Sequence, residues 1–149
     1  MAGPFLQTAV LCEKVLTEAN GVFSAIRIVD RFTTHATGAD VPDEMPPGVI
    51  DLTALVIVKA GDARGRFAIR LRPERPSGRQ MDAIDFPIRF DGGPDQGQGL
   101  VLPMQMEMDE EGLYWIDVFL VARSGQAETL MTRMPLTIRY QPQRINPPE

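Results

Sequence analysis

One cysteine and one histidine are all that the chain offers for nucleophilic or soft-metal chemistry. Cys12 lies in the alternating apolar stretch FLQTAVLCE (5–13). His35 lies in TTHATGADVPDEMPPG (33–48), a stretch rich in Pro, Gly and acid that reads as a long loop. A thiol becomes a nucleophile when a base stands beside it, so Cys12 and His35 could act together only if the fold joins them. The alternative is a buried structural cysteine, the usual state of a thiol among apolar neighbours. No Gly-x-Ser-x-Gly occurs, and DGGPDQGQG (91–99) has neither the Lys nor the following helix of a phosphate cradle. One Cys and one His do not make a zinc site. Calcium wants oxygens from converging loops. Asp40, Asp43, Glu44, Asp91 and Asp95 could supply them if loops 33–48 and 91–99 meet at one end of the domain. Ordinary solvated loop acids are the competing reading, since no Asp-x-Asp-x-Asp spacing is present. No catalytic residue and no cofactor is assigned, and the expectation is a chain without enzymatic activity.

A second chemistry is carried by arginine and aromatic side chains. In DEEGLYWIDVFLVARSGQ (109–126), Tyr114, Ile116, Val118 and Leu120 form one apolar face. The opposite face, expected to be polar, carries Trp115 and Phe119 together with Val121. Alternation in RGRFAIRLRPERPSGR (64–79) puts Arg66, Arg70 and Arg72 on one face. Such a basic row could meet nucleic acid, but the formal net charge is −5, and only 2 of the 15 basic residues are lysines. Nucleic acid and anionic membranes both want a basic patch. Trp, Tyr and Arg dominate the energetics of protein–protein contacts, which suits this composition better.

These side chains must be positioned by strands. Period-two alternation runs through nearly the whole chain, and Gly- and Pro-rich turns divide it. Strands are expected at 5–13, 22–32, 49–60, 66–72, 83–90, 100–108, 113–123 and 129–140, with turns at TEANG and SGQA. Residues 8–19 are the nearest approach to a helical pattern. Pro87 and Pro103 mark edge strands or bulges. The tail 141–149 reads as disordered, leaving one domain over 1–140. The longest apolar run, LTALVIVKA, is too short to span a bilayer. The N-terminal stretch has neither a basic start nor a long apolar core, so no signal peptide is read. With a single cysteine and no possible internal disulfide, a cytoplasmic protein is expected.

About eight strands at this spacing imply an all-β sandwich. The segment EEGLYWI (110–116) resembles the entry to strand F of immunoglobulin-like and fibronectin-like folds. There a tyrosine, matched by Tyr114, bonds back to upstream backbone in a tyrosine corner. Ile116 stands where antibody domains have a cysteine. The chain also resembles a family of uncharacterised bacterial proteins, a domain of unknown function built as a short sandwich. Ala9-Val10-Leu11-Cys12-Glu13, Gly112 to Val118 and Arg133 to Ile138 carry that resemblance. It implies the fold and brings no activity.

The resemblance places strands 49–60, 66–72, 113–123 and 129–140 in one sheet. Its outer face would then hold Leu55, Ile57, Trp115, Phe119, Val121 and Met131, rimmed by Arg66, Arg70, Arg72, Arg133 and Arg139. Soluble monomers rarely leave such a patch bare. Either it is an interface with a second copy or another protein, or the chain's own loop 33–48 or N-terminal segment covers it. The Met104, Met106 and Met108 row reads as core filling.

Overall fold

Successive Cβ atoms of an extended chain point to opposite sides, and the expected alternation is realised as strand after strand. The computed structural model describes residues 1–122 and 127–145. In them run nine strands and no helix: β1 (Phe5–Thr17), β2 (Phe23–Ile28), β3 (Arg31–Gly38), β4 (Gly48–Lys59), β5 (Gly65–Glu74), β6 (Ile84–Phe90), β7 (Gly97–Met108), β8 (Gly112–Ala122) and β9 (Glu128–Arg144). A first sheet has the order β2-β1-β4-β7, and a second has the order β3-β9-β8-β5-β6. The second sheet is curled like half a barrel. The turn expected at SGQA falls largely on 123–126, outside the described residues.

The inner faces share one core. Ile50, Val56, Val58, Leu102, Met104, Met106 and Met108 come from the first sheet, and Ile69, Leu71, Tyr114, Ile116, Val118, Leu136 and Ile138 from the second. The methionine row does fill core, its flexible thioethers packing along β7. Tyr114 is fully buried, and its hydroxyl donates to the Glu110 carbonyl at 2.8 Å and accepts the Glu110 N–H at 3.1 Å. Burial pushes its phenol above the usual range.

Several expectations change. Residues 8–19 form no helix: β1 continues to Thr17 because it pairs twice, with β4 through Phe5–Cys12 and with β2 through Cys12–Thr17. The strand expected at 22–32 is two strands, broken where the chain leaves the first sheet after Ile28 and enters the second at Arg31. Residues 33–38, read as loop, belong to β3, which pairs in parallel with β9. A parallel partner far along the chain has no local turn signal. The same pairing orders residues 141–144, read as tail, in register with His35 to Gly38. Strand β4 lies in the first sheet, away from β5, β8 and β9. Pro87 and Pro103 sit on β6 and β7, an edge strand of each sheet.

The β1–β2 ribbon does not continue flat. Arg27, opposite Glu13, has φ 53°, the one positive value at a non-glycine among the described residues. Beyond it the ribbon turns back across the outer face of the first sheet. Phe23 thereby reaches Gly99 on β7, where a Cβ would overlap its ring, although β1 and β4 lie between β2 and β7 in the sheet order.

Candidate functional site: an arginine–aromatic lattice on the second sheet

Cross-strand register decides which side chains meet on a sheet face. On the outer face of the second sheet, Arg70 stands opposite Phe119 and Asp85, Arg72 opposite Asp117, and Asp117 opposite Arg133. The Arg72 guanidinium lies over the Phe119 ring, 4.9 Å from its centre. The Arg133 guanidinium lies over Trp115 at 4.8 Å. Such stacking is favourable because the ring face carries partial negative charge.

Carboxylates hold each guanidinium in place. Arg70 makes a two-pronged contact with Asp85, at 2.6 and 2.8 Å, and a third bond to Glu128 at 2.9 Å. Arg72 grips Glu128 through both terminal nitrogens at 2.9 and 2.7 Å. Arg133 bridges Asp117 and Glu74, each at 2.6 Å. Planar guanidinium suits such forked bonding. The bond from Arg70 draws Asp85 below the usual carboxylate range. Bonds from Arg72 and then Arg70 do the same for Glu128. All three arginines are pushed above their ordinary range by the same partners. Asp117 is the one buried charged residue among those described, and its bond to Arg133 offsets that burial.

The second-sheet residues anticipated for the outer face are thus partly brought together. Trp115, Phe119, Arg70, Arg72 and Arg133 belong to the lattice, and Val121 is buried beside it. Met131 does not belong. The β8–β9 register shifts between Val118 and Phe119, so that Leu130 stands opposite Phe119. One extra residue in a strand reverses which side chains face out. Leu130 is therefore 51 % exposed, while Met131 packs against the core. Leu55 and Ile57 lie on the first sheet. Leu55 is buried there, beside a cleft beneath the folded-back β1–β2 ribbon.

Neither of the chain segments considered as a cover lies over the rings. The loop after β3 is tied to β9 through a bond from the Tyr140 hydroxyl to the Pro42 carbonyl, 2.7 Å, and an Asp43–Arg144 ion pair. The N-terminal segment is tied to the β4–β5 turn, where Asp62 N–H donates to the Ala2 carbonyl at 3.2 Å. What covers Trp115 and Phe119 is arginine. The carboxylates Glu74, Asp85, Asp117 and Glu128 were missed as site residues. Alternation alone puts Asp117 between Trp115 and Phe119 on one face, but its partner depends on register.

The calcium arrangement is overturned by strand direction. Gly48 pairs with Met108 at one end of β4, and Lys59 pairs with Gly97 at the other. The loop bearing Asp40, Asp43 and Glu44 therefore lies roughly 36 Å along the strands from the loop bearing Asp91 and Asp95. Asp91 pairs instead with Arg89 at 2.7 Å. Among the described residues no three His, Cys, Asp or Glu side chains group as metal ligands. Cys12 is on the first sheet and His35 on the second. The Cys12 thiol donates to the Thr53 carbonyl at 3.5 Å, and burial pushes it up, away from the reactive thiolate. His35 sits on β3, not in a loop. No described helix is long and apolar enough to cross a membrane.

A scan of protein-family models finds none that matches the chain, and a search of curated proteins finds no match.

Proposed function

We propose that the chain is a non-enzymatic interaction module that self-associates through the outer face of the second sheet. The observation that carries this reading is the lattice itself. Arg72 and Arg133 are already stacked on Phe119 and Trp115 and pinned by carboxylates. Side chains ordered before association lose little further freedom on binding. Aromatic and arginine groups of this kind are the ones that anchor interfaces. Leu130 and Leu113 add exposed apolar surface beside the rings.

A second copy is the favoured partner on charge. Arg70, Arg72 and Arg133 set three positive charges against the four negative ones of Glu74, Asp85, Asp117 and Glu128. The face is therefore close to neutral although the chain is acidic, and two copies can meet across a two-fold axis with little like-charge repulsion. The buried, hydrogen-bonded Cys12 and its separation from His35 by sheet favour the non-enzymatic reading.

An immunoglobulin-like sandwich is the finer fold we infer. Its support is the order β1-β4-β7 against β9-β8-β5-β6, which matches strands A-B-E facing G-F-C-C′. The back-bonded Tyr114 at the entry to β8 adds to it. A cytoplasmic location remains part of the proposal.

The test is solution mass by light scattering at two concentrations, for the wild type and for Trp115→Glu. A dimer that becomes a folded monomer on substitution is the expected outcome. A wild-type monomer at both concentrations, or a dimer unaffected by the substitution, overturns the assignment.

A further inference from the structure

The cleft under the folded-back β1–β2 ribbon lies on the first sheet, apart from the lattice. Its floor is the outer face of β4, where Leu55, Ile57 and Lys59 follow one another at two-residue spacing. The span from Leu55 to Lys59 is roughly 13 Å. On one side Val10 and Thr8 of β1 stand opposite Leu55 and Ile57. On the other, Gly99 and Gly97 of β7 stand opposite Ile57 and Lys59. The Phe23 ring takes the space over Gly99, so the cleft runs along β4 between Phe23 and β1. Gly97 can hold no side chain, because a Cβ would overlap the Val58 carbonyl oxygen. Phe23 forms the facing wall, its ring seated on Gly99. The cleft is open to solvent on one side and its volume is about 720 Å³, within the range of small-molecule sites.

Its electrostatics differ from those of the rest of the chain. There are 20 acidic residues against 15 basic ones, yet no Asp or Glu lines this cleft among the described residues. Lys59 is the sole charged group lining it. None of the ion pairs of the described residues involves Lys59. A narrow apolar floor ending in one unneutralised ammonium fits an unbranched chain with an anionic head. A folded surface is a poorer fit, because the ribbon walls the floor.

We propose that this cleft binds a free single-chain carboxylate of medium length, its head paired with Lys59 and its alkyl chain lying along Ile57 between Val10 and Phe23. The occupant is a soluble amphiphile, and the site is independent of the self-association described above.

The experiment is calorimetric titration of the full chain with decanoate below its micellar range, with decanol and decylamine as comparison probes. The expected result is saturable binding at one site per chain, weaker binding of decanol, and none of decylamine. Lys59→Gln lowers decanoate affinity about tenfold, the effect of one charge-assisted contact. Lys14→Gln, which changes the only other lysine and lies outside the cleft, leaves it unchanged. Circular dichroism confirms that both variants fold. Absence of saturable binding overturns the proposal, as does equal affinity in the wild type and Lys59→Gln. Decanoate binding that Val10→Glu, a charge placed on the wall of the cleft, fails to weaken also overturns it.

Discussion

The Arg133 guanidinium lies 4.8 Å from the centre of the Trp115 ring while its Nε bonds Asp117 at 2.6 Å and its Nη2 bonds Glu74 at 2.6 Å. One side chain therefore covers an outward-facing tryptophan and neutralises a buried aspartate. This answers why a strand can carry its only tryptophan away from the core. The apolar ring is shielded by a flat cation whose charge is satisfied within the same face.

Arg133→Lys should be destabilising although the charge is kept. A lysine ammonium cannot reach Asp117 and Glu74 in the same forked geometry while lying flat on the ring. A loss of about 1–3 kcal/mol is expected, the cost of a weakened bond to a buried charge. Urea denaturation of the two proteins at neutral pH measures it. In an Asp117→Asn background the same substitution should cost markedly less, since the charge it leaves is gone.

Removing the Tyr114 hydroxyl should also be costly. Tyr114→Phe deletes one donated and one accepted bond to the Glu110 backbone without altering the packed ring. A loss of about 1 kcal/mol or more follows from deleting two bonds to part-buried backbone groups. Unchanged unfolding of this variant would mean that water replaces the hydroxyl there.

The register shift in β8–β9 makes two adjacent residues respond oppositely. Leu130→Glu should lie within about 0.5 kcal/mol of the wild type in monomer stability, as substitutions at exposed positions do. Met131→Glu should cost about 2 kcal/mol or more, because it drives a charge toward the core. Thermal unfolding of both variants decides it, and the reverse order would place the bulge elsewhere.

Gly99→Ala should loosen the folded-back ribbon, because the new methyl meets the Phe23 ring. A cost of about 1 kcal/mol is expected, as for small overpacking. In a Phe23→Ala background the same change should be neutral or stabilising, since alanine stiffens the unfolded chain relative to glycine. The double-mutant cycle isolates the contact.

Acid should weaken the lattice. Glu128 and Asp85 have folded-state pKa values drawn below their unfolded values by Arg72 and Arg70. Their contribution is therefore complete above the ordinary carboxylate range, about pH 4, and is lost as pH falls through the depressed values. Glu128→Gln should be less stable than the wild type at about pH 7 and should lose less on acidification toward about pH 3. Urea midpoints at the two pH values test the sign.

How much of this was legible differs residue by residue. The inner row Tyr114, Ile116, Val118, Leu120 and the core row Met104, Met106, Met108 could be read directly, as could the edge positions of Pro87 and Pro103. Arginine and aromatic residues on one face of 66–72 and 113–121 were legible too. Their partners were not. Glu128 follows a turn and Glu74 ends a strand, and neither carries a mark of its role.

What the sequence by itself determined is therefore local: extended chain, alternating faces, and the all-β class, because side-chain alternation is a property of the backbone at each residue. What only the tertiary structure decided is which strands lie side by side. That set β4 in the first sheet, paired β3 with β9 in parallel, swapped Leu130 with Met131, and folded the β1–β2 ribbon over Leu55. Each of these depends on contacts between residues far apart in the chain, and a single-residue change of register inverts a face. Alternation within one strand carries no record of its partner's register.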